Sequence, residues 1–212
     1  MAYYISDKPE RKIHFSKKEI QDLLMAMGVV TIAFALALSS PSLLGVLSID
    51  WLVFPSMLLI SFLAVGSGFI LHELGHKYFA IKYGAWAEFR AWMQGLMMAL
   101  FLALIVGVVF AAPGAVYIAG RINKEQNGKI SAAGPLINFA IAAACFPFTF
   151  ITTGLLLDVL FYVYYINAFL AVFNLIPIGP LDGAKVLSWN VGIYVLLMGV
   201  SIGLLVPAFL IF

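Results

Sequence analysis

The chain has 212 residues, of which 64% are hydrophobic and 10% charged, against about 45–50% and about 25% in an ordinary soluble domain. A protein of this size leaves a large share of its residues on the outside, so this composition excludes a water-soluble globule and makes lipid the surroundings of the fold. A formal net charge of +2 on so few charged residues excludes a nucleic-acid face, and the single cysteine, Cys145 in an apolar run, excludes an internal disulfide and reads as a small buried thiol.

Residues 1–22 carry nine charges of mixed sign and read as a polar tail, and 23–212 as a single membrane domain without repeat, linker or low-complexity tract. Ala35-Leu36-Ala37 has the small residues of a cleavage site, but a mixed-charge leader of this length is unlike the short cationic start of a signal peptide. Apolar stretches at 23–38, 52–71, 93–112, 130–152, 159–176 and 191–212 are at or close to the ~20 residues of a spanning helix. Gly, Pro, Asp and Ser punctuate them at 39–42, 113–114, 154 and 177–183.

The twelve Lys and Arg fall at 8, 11, 12, 17 and 18, at 77, 82 and 90, at 121, 124 and 129, and at 185, with none in 39–51 or 153–158. The positive-inside rule therefore puts the N-terminus and the segments near 80, 125 and 185 in the cytoplasm. Stretch 93–112 then has cytoplasmic residues on both sides, which predicts a re-entrant segment whose irregular backbone is buried in protein. A sixth full span, breaking the rule once, is the alternative. The expected fold is an all-α polytopic membrane protein of five to six transmembrane helices.

Ionisable side chains in lipid are costly and point to function. His72-Glu73-Leu74-Gly75-His76 is an H-E-x-x-H pattern, whose two histidines share one helix face and can bind one metal ion. Glu73, one position round, is placed to act on a water rather than on the metal. Zinc suits imidazole and carboxylate ligands with one position left open. The third protein ligand is expected at Asp182, in the run Asn174-Leu175-Ile176-Pro177-Ile178-Gly179-Pro180-Leu181-Asp182-Gly183, where two prolines break the helix and let a carboxylate turn inward. Two neutral histidines and one aspartate would leave the complex at +1. The bland alternatives are a self-satisfied His/Glu cluster and a surface turn at Asp182.

The sequence resembles the site-2 protease family of intramembrane zinc metalloproteases. The resemblance rests on His72-Glu73-x-x-His76, on Asn174-x-x-Pro177-x-x-x-x-Asp182-Gly183 and on Gly134-x-x-x-Asn138, and it spans roughly 60–190. It implies that His72, His76 and Asp182 hold one zinc ion, that Glu73 is the general base, and that the site lies towards the cytoplasmic side of a three-helix catalytic core. Substrates would be single-pass membrane proteins cleaved within or near their transmembrane segments. It further implies a short membrane-associated β-hairpin that presents an unwound substrate, for which 113–120 is the candidate strand, a role for Asn138 toward substrate or oxyanion, and one for Asn174 in positioning either Asp182 or the substrate, with an interhelical hydrogen bond as the ordinary alternative for an asparagine. No segment after residue 22 is long and polar enough for a soluble regulatory module, and the apolar insertion 93–112 departs from the family pattern. A metal transporter or metal-binding bundle would use the same ligands, but transporters commonly repeat their broken helices, and this chain has one broken segment and no second H-E-x-x-H. Glu73, unnecessary for binding metal alone, favours the enzyme. Counting from Leu52, His72 lies about 30 Å along the helix, with Lys77 and Lys82 expected at the nearby interface.

Overall fold

The computed structural model describes residues 13–40, 49–109 and 113–210. The first half of the polar tail, most of the loop 39–51 and the end of the stretch 93–112 lie outside these residues. Five helical stretches are long and apolar enough to cross a membrane, at Lys17–Leu38, Phe54–Lys82, Lys124–Phe150, Gly154–Asn174 and Val191–Leu210, and the chain is a multi-pass, all-α membrane protein.

Helix α1 (Lys17–Leu38) starts six residues before the apolar run, because the Ser16 hydroxyl caps it by accepting from the Glu19 backbone N–H at 3.1 Å. Its charged first turns are two-sided: Lys17 and Lys18 are exposed, while Glu19 and Asp22 are buried. The second span is α2 (Phe54–Val65), a wide π turn (Gly66–Ile70) and α3 (Leu71–Lys82). Such one-turn widenings recur at functional sites, and this one immediately precedes His72. Helix α5 (Lys124–Cys145) opens on a capping box in which Asn123 Oδ1 accepts from Gln126 N at 2.8 Å and Gln126 Oε1 accepts from Asn123 N at 3.0 Å. Helix α6 (Gly154–Asn174) ends where Pro177 and Pro180 forbid continuation, and the chain re-enters helix as the short α7 (Asp182–Trp189) before α8 (Val191–Leu205) and a last turn α9 (Pro207–Leu210). Helix α5 packs against α3, α6 and α7, so it is the hub of the core.

Between the second and third spans, strand β1 (Trp86–Ala91) pairs antiparallel with β2 (Gly114–Ala119), in register Trp86 with Ala119 through Ala91 with Gly114. Strand β2 matches the strand expected at 113–120. Helix α4 (Met93–Val106) lies between them, and at 14 residues it is about 21 Å long, well short of a span. Gly107, at φ +73°, ends it in the left-handed conformation. Trp92 N donates to Pro113 O at 3.0 Å, so Pro113 lies beside the start of α4. The apolar stretch thus leaves after Ala91 and returns before Gly114, which are paired neighbours in the strand register, as in the re-entrant arrangement expected.

Candidate metal centre

Helix α3 supplies His72, Glu73 and His76, all buried, and the first turn of α7 supplies Asp182. The turn that delivers Asp182 is tight: Gly179 has φ +56°, and a Cβ on Gly183 would collide with the Leu175 carbonyl. His72 Nε2 lies 3.0 Å from His76 Nε2, and Asp182 Oδ2 lies 3.3 Å from the first and 3.1 Å from the second. Ligands at about 2.0–2.1 Å around a tetrahedral zinc are roughly 3.3 Å apart, so the triangle has the edge lengths zinc requires. Two imidazoles and one carboxylate are also the donor set that zinc accepts. Burial alone would raise the Asp182 carboxyl, yet the neighbouring His76 and His72 imidazoles hold it well below the usual carboxylate range, so it is an anion at neutral pH.

Both imidazoles are oriented from behind. His72 Nδ1 donates to Asn138 Oδ1 at 2.6 Å, and His76 Nδ1 donates to the Ile130 carbonyl at 2.8 Å. Each bond puts the ring proton on Nδ1 and leaves the Nε2 lone pair facing the other ligands, the arrangement in which histidines bind metal. Helix α5 approaches closely enough to do this because Gly134 has no side chain. A Cβ there would lie 2.5 Å from His72 Nε2 and 2.6 Å from His76 Nε2, filling the space where the ligands converge. Residues i and i+4 share a helix face, so Gly134-x-x-x-Asn138 clears one side of the His72 ring and holds its other side.

Asn138 is completely buried, and its Nδ2 donates to the Gly68 carbonyl at 2.9 Å and to Asn167 Oδ1 at 3.0 Å. Both amide hydrogens are spent within the helix bundle, leaving none for a substrate carbonyl or oxyanion. Of the two uses expected for Asn138, the bonds it makes are the interhelical kind, and its oxygen holds a histidine. Asn174 donates to the Leu170 carbonyl of its own helix at 3.0 Å and lines the cavity beside Asp182. Asn167, fully buried in α6, is a site residue the sequence analysis missed, although an asparagine within an apolar helix is itself a signal. Lys77, expected near the interface, is 2% exposed, donating to Glu19 Oε2 at 2.5 Å and to the His14 carbonyl at 2.6 Å. Glu19 Oε1 also accepts the Phe89 N–H at 3.0 Å, so this pair ties α1, the metal helix and β1 together.

A cavity of about 120 Å³ adjoins the triad, lined by Glu73, Asn174, Leu181 and Lys185 and, from β2, by Gly114 to Val116 and Ile118. Glu73 Oε2 is buried with no hydrogen-bond partner among the described residues. A buried, unpartnered carboxylate oxygen beside the ligands is what a metal-assisted hydrolase needs for a water.

Residues 149–194, which include Asn174 and Asp182, match peptidase family M50. A protein of Methanocaldococcus jannaschii named "Putative zinc metalloprotease MJ0611" is 46% identical over 179 residues, 83% of this chain and 86% of that protein. The chain belongs to peptidase family M50, the site-2 protease family. A second relative from the same organism, "Zinc metalloprotease MJ0392", is 29% identical over 147 residues, 66% of this chain and 34% of that protein, so this M50 chain spans about a third of its length. No solved structure matches the chain. Membership of a family of zinc metalloproteases agrees with the donor set and spacing at His72, His76 and Asp182. His72 and His76 lie outside the segment matched to the family, so their place in the centre rests on this chain's own geometry.

Proposed function

We propose that this M50 peptidase is an intramembrane zinc endopeptidase that hydrolyses peptide bonds within or near the transmembrane segments of single-pass membrane proteins. The observation that carries the reading is the convergence of His72 Nε2, His76 Nε2 and Asp182 Oδ2 to within 3.0–3.3 Å in a bundle of apolar helices. In this reading the three side chains hold one zinc ion per chain. Zinc, when bound, polarises the scissile carbonyl and acidifies water. Glu73 takes the proton from the attacking water as its oxygen bonds to the carbonyl carbon, and returns it to the amine as the C–N bond breaks. Strand β2, paired only with β1 among the described residues, has a second edge to offer an extended peptide beside the cavity it lines.

The distribution of Lys and Arg supports a cytoplasmic N-terminus and a site towards the cytoplasmic side. From Phe54 to His72 is about 27 Å of helix, most of the ~30 Å hydrocarbon thickness. A metal transporter would use the same three ligands but has no use for the buried Glu73 carboxylate beside them. The test is to incubate the purified protein in detergent with single-pass substrates, with and without a zinc chelator, beside Asp182→Ala. Chelator-sensitive cleavage, and loss of both zinc and cleavage in Asp182→Ala, support the enzyme. Zinc binding without cleavage of any such substrate overturns it in favour of a metal-binding bundle, and undiminished zinc in Asp182→Ala moves the third ligand elsewhere.

A further inference from the structure

Asn167 is 0% exposed in the apolar helix α6, and the reaction as described makes no use of it. Its Nδ2 donates to the Val163 carbonyl of its own helix at 2.8 Å, which turns its Oδ1 to accept from Asn138 Nδ2 at 3.0 Å. A primary amide has nearly the same shape either way round, and only its partners decide which end is the carbonyl. Turned over, Asn138 would bring its oxygen against Asn167 Oδ1 and the Gly68 carbonyl, and would present N–H to His72 Nδ1. That nitrogen would then have to accept, and the ring proton would move to Nε2, the atom facing His76 and Asp182. A protonated nitrogen cannot bind a metal.

We propose that Asn167 is a positioning residue: together with the Gly68 carbonyl it accepts from Asn138 Nδ2 and so fixes the orientation of the Asn138 amide, and through it the His72 tautomer that leaves Nε2 free for the metal. The inference rests on the reading of His72 as a zinc ligand. Removing such a supporting partner typically costs about 10–100-fold in metal affinity.

The test combines zinc affinity, measured by competition with a chelator, with 15N spectra of the histidine rings in the metal-free protein. The chain has three histidines, so His72 is assigned by substituting the other two in turn. Asn167→Leu is expected to weaken zinc about 10–100-fold and to move the His72 signals toward the Nε2–H form. Asn167→Ala carries the same expectation without added bulk, should the leucine variant not fold. Asn167→Asp should stay closer to wild type than either, because a carboxyl oxygen can still accept from Asn138 Nδ2. In an Asn138→Ala background, Asn167→Leu should change zinc affinity no further. Unchanged affinity and tautomer in the leucine and alanine variants, or a full additional loss without Asn138, would overturn the inference while leaving the zinc reading intact. A wild-type protein that takes up no zinc would overturn that reading itself.

Discussion

Gly134→Ala adds one methyl group at the point where α5 faces the metal ligands. Its Cβ would lie 2.5 Å from His72 Nε2 and 2.6 Å from both His72 Cε1 and His76 Nε2. Ordinary contact begins near 3.5 Å, so the rings must retreat by about 1 Å, against a tolerance of about ±0.2 Å in metal–ligand distances. Neither ring can retreat freely, because Asn138 and the Ile130 carbonyl hold each from behind. A misplacement of that size can cost about 100-fold in rate, and zinc affinity should fall with it. The helix itself should not suffer, since alanine is the better helix former by about 0.8–1.0 kcal/mol. Chelator competition and substrate cleavage in detergent, with thermal melting alongside, measure the effect. A Gly134→Ala protein that melts normally but keeps wild-type zinc affinity and cleavage would refute the reasoning. Gly75→Ala is the contrast, for its nearest neighbour at 2.5 Å is the movable end of Ile137, and the loss there should be smaller.

Cysteines introduced at Lys82 and Glu125, on either side of the strand pair and α4, should both be labelled from the cytoplasmic side by an impermeant thiol reagent in a Cys145-free background; labelling from opposite sides would establish a further span. Lys77→Met should destabilise the protein by about 3–5 kcal/mol, because it strands the buried Glu19 carboxylate, and adding Glu19→Gln should recover much of the loss. Melting in detergent checks this, and a single variant as stable as wild type would remove the pair from the account.

The candidate metal centre is legible because its residues stand out against an apolar chain: H-E-x-x-H is local, and Asp182 lies beside two helix-breaking prolines. What the sequence did not disclose depends on distant partners. Glu19, Asp22 and Lys77 looked solvated because charge alone does not distinguish a wet surface from a buried pair, and Lys77 meets Glu19 only across 58 positions. Strand β1 went unread because a six-residue strand is specified by its pairing, here with β2 beyond an intervening helix. The stretch 93–112 looked long enough to span, yet Gly107 ends its helix early. Asn138 and Asn167 lie 29 positions apart, and only the packing of α5 on α6 brings their amides together.

The most direct measurement is zinc content and substrate cleavage in Glu73→Gln. Glu73 lies outside the ligand triangle, so the variant should keep about one zinc per chain, removable by chelator, and lose cleavage entirely, because glutamine cannot accept the water's proton. A variant that loses its zinc would make Glu73 a ligand, and one that still cleaves would place the general base elsewhere; either result contradicts the proposed mechanism.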